Sequence, residues 1–440
     1  MANERQHRRT FLRGAGLAAA ALAGCISQTG GDEATQTGTP AGATATQTRT
    51  AEATETATAT ETAAEPEFAH DWFLPWGETL DSFDSFDADW GAFAGSATLT
   101  DDGFDDGPAV TLDTDGGSRA RIVRSFAVPQ DFTDLDVSMA VKLHSTTRPL
   151  ARVRLVMEDS SGTRRSHSGA IMPNATDRWL RLDMGVESDE GLDPSAVTEL
   201  WVDHYAGDGE TVFSVDDIRT VPKPDVGYVV LSFSNDEPVD YDVAYDVLSE
   251  YGYPGVCLPN LATVGENGAP TPASLRRMAD AGWDVGGHGL QHEPLSDFSR
   301  EEQARQLAEN ARRLREMGVV GADDPLHFRT PLGRYDTDTL DVVLDSFDTC
   351  IVGAGAVTGV NARVTDPRTV GFRSSKNLET AKTCIDAAAD YRQLIGLATP
   401  LDDLDRAHVE ALVEHIHGHV EAGRLKVITM SELYEQFVAE

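Results

Sequence analysis

The sequence predicts two folded domains behind an N-terminal tail: an all-β sandwich over residues 68–224, then a parallel α/β domain over 225–440. Three observations predict this. A chain of 440 residues is long for one domain and fits two plus a tail. Short runs alternating apolar and polar residues, separated by Gly, Asp and Ser clusters, fill the first region. From Asp225 onward strand-like and helix-like runs alternate with short links, the pattern of repeated β-α units.

In the tail, His7-Arg8-Arg9-Thr10-Phe11-Leu12 sets a twin arginine before a hydrophobic residue. A small apolar run from Gly14 to Ala23 follows, too short to span a bilayer, and it ends in Leu22-Ala23-Gly24-Cys25. Residues 1–25 resemble a twin-arginine export signal with a lipoprotein cleavage box. That resemblance implies folding before export. It also implies lipid on Cys25, which anchors the protein to the extracellular face of the cell membrane. Residues 26–67, mostly Thr, Ala, Glu and Gly, have almost nothing to bury and read as a disordered spacer.

Over 68–224 the predicted strands are Ala109–Leu112, Ala120–Phe126, Leu135–Leu143, Ala151–Glu158, Trp179–Asp183, Glu199–His204 and Thr211–Val215. That count and spacing suit a β-sandwich. Val212-Phe213-Ser214-Val215-Asp216-Asp217-Ile218 resembles the closing strand of jelly-roll carbohydrate-binding modules, which implies a glycan partner. Trp72, Trp76, Trp90, Trp179, Trp201 and Tyr205 are expected mostly to fill the core; any left exposed would suit stacking on sugar rings. The acidic run Asp101 to Gly107 carries oxygens that calcium accepts, but in so acidic a chain it reads as solvated turns.

Over 225–440, Val229–Phe233 is a continuous apolar run, like a buried parallel strand. Helix 242–251 and strand 255–258 follow, then helix 272–281 and strand 283–286. Ser299-Arg300-Glu301-Glu302 reads as a capping box opening a helix to Met317. Strand 326–329, helix 338–347, strands 349–352 and 369–372, helix 378–389, strand 393–398, helix 406–422, strand 426–429 and helix 431–438 complete the pattern. After strand 283–286 comes His288-Gly289-Leu290-Gln291-His292. Two neutral imidazoles at this spacing can converge on one divalent metal, zinc foremost.

Val229-Val230-Leu231-Ser232-Phe233, the His288–His292 loop and Phe328-Arg329-Thr330-Pro331-Leu332-Gly333-Arg334-Tyr335 occur in the order and spacing of polysaccharide deacetylases of the carbohydrate esterase family 4 type. The resemblance spans essentially all of 225–440. It implies a distorted (β/α) barrel and metal-dependent removal of acetyl groups from glycan. His288 and His292 match two metal ligands, with Gly289 in place of a hydroxyl residue. Arg329 matches the arginine that orients the catalytic aspartate; Pro331 and Gly333 match, and Leu332 replaces an aromatic. The family's first motif, however, puts two aspartates after Ser232-Phe233, the general base and the third metal ligand. Here Ser234-Asn235 stand there, and Asp236 one position on is the substitute base or ligand. The family's general-acid histidine is missing from Leu394–Thr399, leaving Asp402 or Asp403 as replacements. His415, His417 and His419 alternate along the next predicted helix and read as surface residues.

A formal charge of −37, spread over the chain, argues against nucleic acid and suits a halophilic protein kept soluble in high salt. Cys257, Cys350 and Cys384 allow one disulfide or small core residues. Two functions stand side by side. One is a metal-dependent hydrolase removing acetyl groups from a surface polysaccharide. The other is an inactive homologue that binds glycan, because the motif-one aspartates and the last-motif histidine are replaced. A structural zinc site is a third reading, weakened by the lack of cysteine ligands.

Overall fold

The computed structural model describes residues 70–234, 238–266, 269–290, 293–353, 360–400 and 406–438. The signal and spacer expected over 1–67, Cys25 included, lie outside the described residues. No helix among the described residues is long and apolar enough to cross a membrane.

The first region is antiparallel sheet. Its strands are β1 (Glu78–Asp81), β2 (Trp90–Ala94), β3 (Ser96–Thr100), β4 (Ala109–Asp113), β5 (Arg119–Gln130), β6 (Leu135–Thr146), β7 (Ala151–Asp159), β8 (Arg164–Ile171), β9 (Trp179–Asp189), β10 (Val197–Tyr205) and β11 (Thr211–Pro222). One ladder runs β3-β4-β11-β6-β9, with β1 beside the end of β11; the other runs β2-β5-β10-β7-β8-β9. Strand β9 serves both, pairing with β6 up to Met184 and with β8 from Gly185. Alternation decides the buried face: Val137, Met139 and Val141 of β6 share one core with Val153, Leu155 and Met157 of β7. Trp90, Trp179 and Trp201 are buried, as expected, while Tyr205 stays 59% exposed. The Asp101 to Gly107 run is a turn, closed by the Gly103 amide donating to the Gly107 carbonyl at 3.0 Å.

Between Pro222 and Gly227 the architecture changes. The second region holds β12 (Gly227–Ser234), α1 (Pro238–Tyr251), β13 (Val256–Cys257), α2 (Pro272–Asp280), β14 (Asp284–Val285), α3 (Arg300–Glu316), β15 (His327–Arg329), α4 (Thr337–Val342), β16 (Thr349–Gly353), β17 (Val360–Asn361), β18 (Val370–Ser374), α5 (Leu378–Tyr391), β19 (Leu394–Pro400), α6 (Arg406–Glu421), β20 (Leu425–Val427) and α7 (Met430–Val438). A parallel ladder runs β14-β13-β12-β19-β18-β16-β15. A single parallel bridge from Phe328 to Gly287 returns it to the segment after β14. Strand β12 reads as unbroken apolar sequence because Val229, Val230, Leu231 and Phe233 are all fully buried.

Local rules set the helix starts. Thr271 caps α2, its hydroxyl accepting the Ser274 amide at 3.1 Å, with Pro272 in the first turn, where its missing N–H is no loss. The capping box expected at Ser299 forms only by half. Ser299 accepts the Glu302 amide at 3.4 Å, but the Glu302 carboxylate takes a bond from Arg305 Nε at 2.9 Å instead. Cys257, Cys350 and Cys384 are buried and free, so no disulfide joins them.

The two regions meet along a polar seam. Asn361 of β17 bridges Met184 of β9. Gln393 accepts the Val186 amide at 2.9 Å and donates to buried Asp136 at 2.6 Å. Arg368 bonds the Trp179 carbonyl at 3.0 Å and Asp366 at 2.8 Å, and its guanidinium carbon lies 3.4 Å from the centre of the Trp72 ring. Beside this stands buried Arg181, 2.7 Å from Asp217.

Candidate functional site

The site candidates gather where parallel strands end: Ser234 closes β12, Arg329 closes β15, and His288 follows β14. Backbone bonds clamp the histidine loop to β15. The Gly287 amide donates to the His327 carbonyl, and the Arg329 amide donates to the Gly287 carbonyl, both at 2.9 Å. So close an approach explains one glycine, since a Cβ on Gly286 would lie 2.5 Å from the His327 carbonyl oxygen. Gly289, where the family has a hydroxyl residue, has φ +85°, a backbone that L side chains rarely adopt.

His288 is buried, 4% exposed, and its Nδ1 lies 3.1 Å from the Arg329 carbonyl. A carbonyl only accepts, so Nδ1 carries the hydrogen and Nε2 keeps a lone pair. This is the tautomer and the outer-shell contact of a metal-ligating histidine. The chemistry of this donor therefore fits the metal that the sequence implies.

Arg329 turns its guanidinium back to β12, where Nη1 donates to the Ser234 hydroxyl. Ser234 is buried, and Arg329 Nε is sealed from solvent with no hydrogen-bond partner. Burial draws the Arg329 guanidinium down to about 10, and the Tyr241 hydroxyl nearby acts in the other direction. Among the described residues no carboxylate bonds this cation. The contact expected with a catalytic aspartate is made to a neutral hydroxyl at the first position of the missing pair. Sequence matching marked Ser234 only as a loss; its bond to Arg329 is visible in three dimensions alone.

Leu332, in place of an aromatic, is 59% exposed with φ +53°. The end of β19 carries no histidine; Thr399 there is buried and accepts from Ser375 at 3.0 Å. Asp236, His292, Asp402 and Asp403 lie outside the described residues. The surface reading of the α6 histidines needs correction. His419 is only 6% exposed. His415 and His419 stand four apart, one helical turn, and both rings turn to Asp386 of α5, while His417 points to the Tyr253 hydroxyl at 2.8 Å.

Residues 222–346 match the family model described as polysaccharide deacetylase. A curated relative, the chitooligosaccharide deacetylase of Sinorhizobium fredii, is 32% identical over 129 residues, which is 29% of this chain. The match spans 57% of that relative's own length. Among solved structures, a family 4 carbohydrate esterase from Streptomyces lividans in complex with acetate is 17% identical, with a TM-score of 0.34 over 47% of this chain and 93% of that one. The family 11 carbohydrate-binding module of a Clostridium thermocellum cellulase is 16% identical, with a TM-score of 0.26 over 33% of this chain and 94% of that one.

Proposed function

Because residues 222–346 belong to a divergent polysaccharide deacetylase domain of the carbohydrate esterase family 4 type, we propose that the protein removes acetyl groups from a cell-surface glycan by metal-dependent hydrolysis. The observation that carries this reading is the His288 ring, whose Nδ1 donates to the Arg329 carbonyl, the outer-shell contact of a metal-ligating histidine. His288, His292 and Asp236 would hold the ion, with zinc as the first candidate. When bound, such an ion polarises an acetyl carbonyl and acidifies water. Asp236, two residues beyond Ser234 in the chain, is the carboxylate proposed to take the water proton. Arg329 would orient that carboxylate and offset its charge. Asp402 or Asp403 would supply the proton to the leaving group.

The test is acetate release from acetylated amino-sugar oligomers by the full chain in concentrated salt. Loss of turnover in both His288→Ala and Asp236→Ala supports the proposal. Turnover unchanged by Asp236→Ala removes Asp236 from the mechanism.

One observation favours a second reading. Arg329 meets Ser234 where the family places its base, so the domain would hold glycan without cleaving it. Glycan retention by an unmutated chain that releases no acetate is the result this reading requires. In either case we read the returning parallel ladder as a distorted barrel and the antiparallel ladders as a jelly-roll-like sandwich that presents exposed Phe93 and Tyr205 to sugar. We also read the protein as anchored to the extracellular face of the cell membrane through lipid on Cys25, in a halophilic setting that the charge of −37 supports. Cys25→Ser should release it into the soluble fraction; unchanged membrane retention would end the lipid reading.

A further inference from the structure

Helices α5 and α6 lie side by side outside the parallel ladder. The apolar stripe of α6 runs Val409, Leu412, Val413 and Ile416, and then reaches His419. An imidazole thus takes a position where the helical period asks for an aliphatic residue. It is buried, and its Nδ1 has no hydrogen-bond partner, so placing it there lowers stability unless something else repays the change. Its Nε2 lies 2.8 Å from Asp386 Oδ1, and the His415 Nε2 lies 2.8 Å from the same oxygen. The two rings are 5.2 Å apart at 68°, and all three donor atoms fall within 4.8 Å of one another. Among the described residues this is the one group of three His, Cys, Asp or Glu side chains close enough to share an ion.

The spacing fits a small cation. Bonds of about 2.0–2.1 Å in a tetrahedron put neighbouring donors roughly 3.3 Å apart, so the Asp386 contacts need to open by only about half an ångström. Two histidines four apart on one helix can face the same ion, and the carboxylate comes from the neighbouring helix. Access exists as well. The group opens on a cleft of about 440 Å³ lined by Lys382, Glu414, Gly418 and Arg424. Beside Gly418 there is open space, since a Cβ there would meet nothing within 4 Å. Water can therefore complete the coordination. Two nitrogens and one carboxylate oxygen suit a borderline ion such as Zn²⁺ better than calcium, which takes oxygen ligands.

We propose that Asp386, His415 and His419 form a second divalent-metal site of the zinc class, which clamps α5 to α6 and is separate from the strand-end site at His288. Neither the family match nor the hydrolytic reading enters this inference.

The test uses the full chain, stripped with chelator and titrated with Zn²⁺ by equilibrium dialysis in a His288→Ala background. That background removes the strand-end contribution. The proposal expects one zinc per chain, a higher thermal midpoint with zinc, and a visible-range absorption band when Co²⁺ replaces it. Adding His415→Gln with Asp386→Asn should weaken binding at least about 100-fold and abolish the thermal shift. His419→Leu, which restores the apolar stripe, should fold and also lose the metal. If the His288→Ala chain takes up no zinc at micromolar concentration, the group is only a hydrogen-bonded pin between helices. The same conclusion follows if His419→Leu, folded by circular dichroism, binds zinc as tightly as its parent.

Discussion

Replacing Ser234 with Asp would restore a carboxylate opposite Arg329. Burial draws the guanidinium well below its ordinary range, to about 10. At 1.36 kcal/mol per unit, that bounds the cost of keeping the charge at about 3 kcal/mol. The side chain keeps some contact with solvent, so the recoverable part is smaller, about 1–2 kcal/mol for a charge-assisted bond. The sign follows from linkage: the cost is fully present at neutral pH, begins to fall as pH rises through about 10, and is gone only above the ordinary guanidinium range. Ser234→Asp is therefore expected to raise the urea midpoint near neutral pH. If the missing base limits turnover, it should also raise acetate release by roughly 100- to 10,000-fold. Acetate would be measured by a coupled assay in concentrated salt with zinc present, and stability by urea unfolding of the same preparations. A variant that is less stable and no more active would refute the view that Arg329 waits at this position for an anion.

Three further outcomes follow. Gly286→Ala puts a Cβ 2.5 Å from the His327 carbonyl oxygen and should destabilise by about 1–3 kcal/mol, loosening metal binding at His288; an unchanged thermal midpoint would mean the strand end yields freely. Asp136 in the seam has its carboxyl pushed up to about 6 by burial, against the opposing pull of Lys223 and Gln393. Its folded value exceeds its unfolded one, so its contribution is full below about pH 4 and is lost as pH rises through about 6, by roughly 1–3 kcal/mol. Asp136→Asn should flatten that stretch of the stability–pH curve, and an equally steep curve in the variant would assign the effect elsewhere. The seam also predicts a single calorimetric transition for the full chain; two resolved transitions would show that the regions unfold independently.

Sequence showed most of the second region because its strands are buried on both faces. Val229–Phe233 reads as a continuous apolar run and Thr349–Val352 as a strand, and β12 and β16 form there. It was weaker at β8, where Arg164-Arg165-Ser166-His167-Ser168-Gly169 carries no apolar alternation, because its buried residues are small or polar. Strand β17, only two residues long, exists through pairing with distant β19 and β9, which no local pattern records. At the site, His288 and Arg329 were legible because motif spacing reflects strand ends. The Ser234 contact was not, since it joins residues 95 apart. The α6 histidines were misread for a related reason. Their partner Asp386 belongs to another helix, and alternation along the sequence hid the one-turn spacing of His415 and His419.

In concentrated salt the seam and the exposed surface would behave differently. At about 1 M salt the screening length falls to roughly 3 Å, so exposed pairs such as Arg277 with Asp242 are largely muted. Arg181 with Asp217 and Arg368 with Asp366 are shielded from that ionic bath by the protein around them. Concentrated electrolyte would thus erase much of the surface's electrical pattern while leaving these hidden contacts legible. The bonds that cross the seam, from Arg368 to the Trp179 carbonyl and from Gln393 to Asp136, key the joint: a misdocked arrangement would strand buried polar groups without partners, a penalty that dissolved ions cannot reach to relieve.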